Sequence, residues 1–276
     1  MFTEQTWRDI SRISSVRDFK QATFYRLTGN DQYVKVGPGG EIGHGTFGQL
    51  SYTNQADTYG RMVAITRQDI INDDLGALAD KPRSLGRGAG LAMNDVFWTA
   101  FLDNSSFFTS GNSNYFTGAS TNLQHSSLEQ AQYTLARQTD ADGKPLGADG
   151  RILLVPPEVQ VTADELFTST NLNTGGAAST AKVPNRNVFI GRYRPVMSRY
   201  LSNSTYTGYS TTAWYLLCDP NDIPVMRVVL LNGRDAPVVE TAEADFSTLG
   251  IQMRGYHDLG CAKEEYRGGV KSRGAA

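Results

Sequence analysis

The chain has 276 residues and a mass of 30.2 kDa, with 26 Lys+Arg against 28 Asp+Glu and a net charge of −2. That length suits one large domain or two small ones and is enough to bury a core. A near-neutral balance gives no whole-chain footprint for nucleic acid or an anionic membrane, and a hydrophobic share of 39% argues against a disordered chain.

Residues 1–23 are polar but carry Trp7, Ile10, Ile13, Val16 and Phe19 at a spacing of three. This reads either as an arm that buries its hydrophobes on a partner or as a short helix on the chain's own core. From 24 to 61 the pattern changes. Phe24–Leu27 and Tyr33–Val36 predict short strands around the turn signal Gly29-Asn30-Asp31, and six glycines crowd Gly37–Gly48. Leu50–Ala56 to Met62–Ile65 reads as the returning strand of one long, glycine-tipped hairpin. An isolated two-stranded ribbon is marginal in water, so it is expected to lie on something else.

The strongest helical signal follows, with Pro82 tolerated in a first turn and Leu85, Ala89, Ala92, Met93, Val96, Phe97, Ala100 and Phe101 recurring at steps of three and four. Gly86, Gly88 and Gly90 mean either close packing under another backbone or a break. Residues 104–127 read as a long irregular connection, Leu128–Arg137 as a short helix, and Arg151–Val155 as a buried strand ended by Pro156-Pro157. Thr162–Phe167 opens another helix and Asn173–Lys182 is a flexible loop. Val188–Ile190, Val196–Met197, Trp214–Leu217 and Val225–Leu231 are predicted strands, the last two joined by the turn Asp219–Asp222. Gly250–Tyr256 is another.

Motifs for chemistry are weak. Gly43–Gly48 is formally G-x-G-x-x-G, and Val63-Ala64-Ile65-Thr66 follows. Thr66 has no cation to pair with phosphates, and no helix opens after the glycines. His44, His125 and His257 show no metal-ligand spacing. Asp73-Asp74 and Glu264-Glu265 are paired carboxylates whose adjacent side chains diverge; capping and a solvated face are the expected roles. Cys218 and Cys261 make no disulfide framework, and Cys218 reads as a buried, inert thiol. No secretory signal opens the chain, and no run of about 18 apolar residues exists to span a membrane. No catalytic residue, metal site or cofactor is expected, and the chain is not read as an enzyme.

The residues resemble a known family. Asn54–Arg61, Ile65–Asp74, Asn94–Trp98, Asn104–Phe108, Tyr200–Asn203, Trp214–Leu217, Asp219–Asp222, Gly250–Asp258 and Glu265–Gly269 are similar to the major head subunits of Mu-like tailed bacteriophages and prophages. The resemblance implies an α+β tailed-phage major capsid fold. Its parts are an N-terminal arm (1–23), an E-loop ribbon (24–61), a P-domain with a long spine helix (62–127), an A-domain (128–244), and returning P-domain strands with the C-terminus (245–276). It implies self-assembly as hexamers and pentamers into an icosahedral head around double-stranded DNA bound without sequence preference. It also implies a virion location after assembly in the host cytoplasm. Implied partners are a scaffolding protein or maturation protease, a portal protein and a decoration protein, with no membrane. An encapsulin-like nanocompartment shell is the alternative.

Candidates for contact between subunits are Trp7, Phe19, Lys35, Gly39, Gly40, Glu41 and Phe47. Arg83 and Arg87, four apart on the spine helix, are the genome-facing candidates. Relatives often carry a scaffolding or protease segment ahead of the arm. Here the arm follows Met1, which fits a separate scaffolding protein or a processed chain. Lys35, the one lysine of the ribbon, is expected to be solvated, so the shell is expected to be held by non-covalent burial.

Overall fold

The computed structural model describes residues 3–29, 33–42, 44, 47–72, 80–140, 143–173, 184–243 and 250–275. The turn residues Asn30-Asp31, the tip residues Gly43, Gly45 and Thr46, the Asp73-Asp74 pair and the loop over 174–182 lie outside the described residues, as does the side chain of Phe47. In chain order the elements are α1 (Trp7–Ile10), β1 (Ser11–Val16), β2 (Ala22–Gly29), β3 (Phe47–Asn54), β4 (Asp57–Thr66), α2 (Arg67–Ile71) and α3 (Lys81–Leu102). Then come β5 (Tyr115–Phe116), α4 (His125–Ala136), β6 (Gly150–Val155), α5 (Gln160–Thr168), β7 (Asn171–Asn173), β8 (Pro184–Arg186) and β9 (Arg194–Met197). The chain closes with β10 (Trp214–Cys218), β11 (Met226–Leu231), β12 (Val238–Glu243), β13 (Gly250–Lys263) and β14 (Gly269–Ser272).

Helix α3 runs unbroken through its three glycines. Its apolar stripe buries Leu85, Met93, Phe97, Trp98, Phe101 and Leu102. Trp98 meets Phe97 and Phe101 edge-on and stacks on Tyr200, while Phe101 meets Tyr215 at 5.1 Å between ring centres. Each mid-helix glycine costs about 1 kcal/mol against alanine. Gly90 has a structural reason, because a Cβ there would stand 2.7 Å from the Thr3 hydroxyl oxygen. Among the described residues nothing beyond the helix's own backbone lies within 4 Å of a Cβ built at Gly86 or Gly88.

The first residues cross that helix. Asn94 donates to the Glu4 carbonyl at 2.8 Å, and Trp7 packs beside Phe97. The helical spacing predicted across the arm holds for only four residues. Beyond it, Ser11–Val16 runs parallel to β11, Ser11 opposite Met226 and Val16 opposite Leu231. A β-branched, serine-rich stretch fits a pleated neighbour better than a helix.

Two sheets share the core. One has the order β1-β11-β13-β12, with β4 also on β13; the other has the order β5-β14-β10-β6-β9. The sequence boundary near 244 therefore does not divide them: β11 and β12 lie beside β13, while β14 joins β10. Asp57–Thr66 is not the ribbon's return, because all ten of its residues pair with Gly250–Leu259. The ribbon is β2 against β3, from Ala22 opposite Asn54 to Gly29 opposite Phe47. Tyr33–Val36, predicted as strand, has no strand partner among the described residues. Val188–Ile190, also predicted as strand, forms a turn in which the Asn187 side chain accepts from the Phe189 N–H.

Burial sets the alkaline limit. It pushes the thiols of Cys218 and Cys261 up from 9.0 to about 12, and the Tyr193 and Tyr215 hydroxyls from 10.0 to about 12. Tyr52 and Tyr206 are raised too, by burial and then by donating to Glu265 and Asp95. Raised acids give stability that is complete below the unfolded value and lost as pH climbs through the folded one. Lys271, lowered by burial, works in the opposite sense up to its unfolded 10.5, but it is one group against several. The melting temperature is expected to fall steadily between about pH 9 and about pH 12. A flat profile across that window contradicts this assignment.

Candidate assembly surface

The ribbon is fastened at its base and bare at its end. Three residues form a small core under the base, Val16, Ala56 and Val229, with Ala22 and Phe24 packed on it. Tyr52 donates to Glu265 at 2.6 Å, and Asn54 donates to the Arg227 carbonyl at 3.0 Å. Arg227 lies over the Phe24 ring at 4.1 Å, grips Glu264 through two bonds of 2.6 and 2.7 Å, and donates to Ser14. Arg26 and Arg267 both approach Glu265. Ionic and apolar contacts thus join the arm strand, the ribbon, β11 and the tail at one point.

The expectation that Glu264-Glu265 form a solvated face is therefore corrected. Their side chains are 8% and 2% exposed, balanced by Arg227 of β11 for Glu264 and by Arg26 of β2 and the nearby Arg267 for Glu265. The signal in the sequence was Arg227 within the apolar run Met226–Leu231. A buried guanidinium in such a run demands a buried carboxylate.

Further out, none of the described residues covers the ribbon's apolar side chains. Leu27 is 77% exposed, Val34 78%, Ile42 82% and Tyr33 fully exposed. Lys35, Gly39, Gly40 and Glu41 are exposed as well, with Gly39 at φ +80° in a turn closed by the Gly40 N–H donating to the Gly37 carbonyl. So many adjacent uncovered apolar side chains mark an interaction surface.

The other candidates separate. Phe19 is half exposed beside the ribbon base, where Gln55 donates to its carbonyl. Trp7 is corrected: at 3% exposure it belongs to the chain's own core and has no face left for a neighbour. Arg83 and Arg87 are both exposed on α3, with Arg83 bound to Asp80 at 3.1 Å. His44, His125 and His257 are far apart in sequence and role, His257 being buried against the Arg234 carbonyl. Among the described residues no group of three metal-ligating side chains comes together.

The sequence profile described as phage capsid protein matches residues 51–272. The chain belongs to the phage capsid protein family. Phage capsid proteins are structural subunits of the virion, and this one has their tailed-phage α+β fold. The capsid of cyanophage P-SCSP1u superposes with a TM-score of 0.62 at 14% identity, over 100% of this chain and 90% of that one. The head of Helicobacter pylori bacteriophage KHP40 gives 0.61 at 12% identity, over 99% and 92%. The mature capsid of bacteriophage PhiM1 gives 0.59 at 12%, over 99% and 87%. No curated protein sequence matches the chain. At these identities the likeness speaks for the fold of this phage capsid protein.

Proposed function

We propose that this chain is the major head subunit of a Mu-like tailed phage or prophage. It assembles in the host cytoplasm as hexamers and pentamers into an icosahedral shell around double-stranded DNA. One observation carries the reading: Leu27, Tyr33, Val34 and Ile42 of the ribbon are exposed apolar side chains that none of the described residues covers. A monomer with such a surface is an aggregation hazard, whereas a ring of copies buries it. Phe19, Lys35, Gly39, Gly40, Glu41 and Phe47 are the proposed contact residues between subunits. A scaffolding protein or maturation protease, a portal protein and a decoration protein are the proposed further partners.

DNA is held without sequence preference, so its contacts weaken with salt. Arg83, exposed at the start of α3, is the proposed contact to phosphate. Purified protein, alone or with a scaffolding protein, is expected to sediment as rings and shells, and heads filled in the host are expected to contain DNA. Monomer under every condition overturns the reading. Shells filled with protein cargo and free of nucleic acid favour a nanocompartment instead.

A further inference from the structure

Strand β14 lies between β5 and β10, and Lys271 sits opposite Tyr115 on one side and Tyr215 on the other. Residues directly opposite each other in a sheet share a face. Both rings therefore flank the lysine, their centres 5.7 and 5.6 Å from Nζ. Nζ donates to Oδ1 of Asn104 at 2.7 Å. Asn104 and Tyr215 are buried, and Phe101 and Phe108 pack on the Tyr215 ring. A cation brought into such a place is ordinarily matched by a carboxylate. Arg227 and Arg267 have theirs in Glu264 and Glu265. Among the described residues Lys271 has no carboxylate partner; it touches the amide and the two rings.

An amine that displaces ammonia from a carboxamide needs its neutral form, a fixed approach to the carbonyl carbon and a group that moves protons. Burial lowers the Lys271 ammonium from its usual 10.5, which favours the neutral form. The strand register and the bond to Oδ1 hold the amine against the amide, so the encounter is already made. Asn104 is held in turn: its Nδ2 donates to the Phe101 carbonyl at 2.9 Å and to the Tyr215 hydroxyl oxygen at 3.4 Å. That hydroxyl stands beside the nitrogen that must leave. Burial pushes it up from 10.0 to about 12, so it keeps a proton to give throughout the neutral range.

We infer that Lys271 and Asn104 join covalently within one subunit, with Tyr215 as the proton carrier. Nζ attacks Cγ of Asn104, and Nδ2 on the tetrahedral carbon becomes an amine with a free electron pair. Tyr215 gives that nitrogen a proton as the Cγ–Nδ2 bond breaks, and Nδ2 leaves as ammonia. The phenolate then takes the proton that Nζ sheds. Amine and carboxamide are consumed, an amide and one ammonia are formed, and nothing is oxidised or reduced. The bond joins residues 167 positions apart and ties the end of α3 to the last strand. Closing so long a loop restricts the unfolded chain and stabilises the subunit without linking it to another. Denatured shells still fall apart into single chains. A bonded Lys271 no longer titrates, which leaves the alkaline limit to the buried acids.

Mass tests it. The purified full-length chain is expected to weigh one ammonia less than its sequence. Digestion is expected to yield a branched peptide that holds both Asn104 and Lys271. On a denaturing gel the unaltered chain is expected to run ahead of Lys271→Met, because its unfolded coil is closed into a loop. Tyr215→Phe keeps the ring and removes the hydroxyl. It is expected to fold, as checked by circular dichroism, and to form the bond about a hundredfold more slowly. Two results overturn the inference: a chain of full mass with the two residues on separate peptides, or a branched peptide that joins other residues. The first leaves Lys271 as an ammonium hydrogen-bonded to Asn104. A folded Tyr215→Phe that bonds at the unaltered rate overturns the role given to Tyr215. None of these readouts depends on shells forming, so the assembly reading is tested separately.

Discussion

Deleting Gly37–Gly48 is expected to leave a folded, soluble subunit that no longer closes into shells. Among the described residues the one backbone bond within Gly37–Ile42 is local, from the Gly40 N–H to the Gly37 carbonyl at 2.9 Å. The side chains of residues 37–42 are exposed, so their removal takes nothing from either core, and the loss of Phe47 and Gly48 shortens the β2–β3 ladder by its last two pairs, to Gly29 and Thr28. Shortening a connection changes its closure entropy by well under about 1 kcal/mol. The base remains held by Tyr52, Asn54 and Arg227. A melting temperature close to that of the full chain, together with sedimentation as small species, is the expected pair of results. Loss of folded protein would show instead that the tip belongs to the core.

The second large effect concerns the junction. Arg227→Ala removes the cation that Glu264 needs, the stack on Phe24 and the bond to Ser14 at one stroke. Arg227 and Glu264 have side chains 10% and 8% exposed, so the stranded carboxylate stays out of water. Breaking a buried pair from one side costs about 3–5 kcal/mol, while replacing both partners by apolar groups of similar volume is often neutral. Denaturant unfolding of Arg227→Ala is expected to show a loss of that size. Arg227→Met combined with Glu264→Met is expected to recover most of it. Equal losses in the two variants would mean that packing on Phe24, and not the charge pair, holds the junction.

The parts that were legible in the sequence are those whose signal is local. Helix α3 announces itself by its steps of three and four from Leu85 to Phe101. Strands β10 and β11 announce themselves as apolar runs on either side of Asp219–Asp222. Both kinds of signal survive any tertiary setting. The arm and β4 were not legible, because their conformations depend on distant partners. Ser11–Val16 is a strand only beside Met226–Leu231, and Asp57–Thr66 is drawn from the ribbon by Gly250–Leu259, nearly two hundred residues on. The same holds for Trp7, whose place is decided by Phe97, and for Glu264, whose burial is decided by Arg227. The bare ribbon was foreseen in outline, because a two-stranded, glycine-tipped hairpin has only one side's worth of chain to cover it.

The most direct measurement is a side-chain-resolution reconstruction of the assembled particle. The account predicts Tyr33, Val34 and Ile42 of each subunit buried on a neighbouring copy, with the arm strand still paired to β11 of its own chain. A particle in which those three side chains face solvent, or fold back on their own subunit, would contradict it.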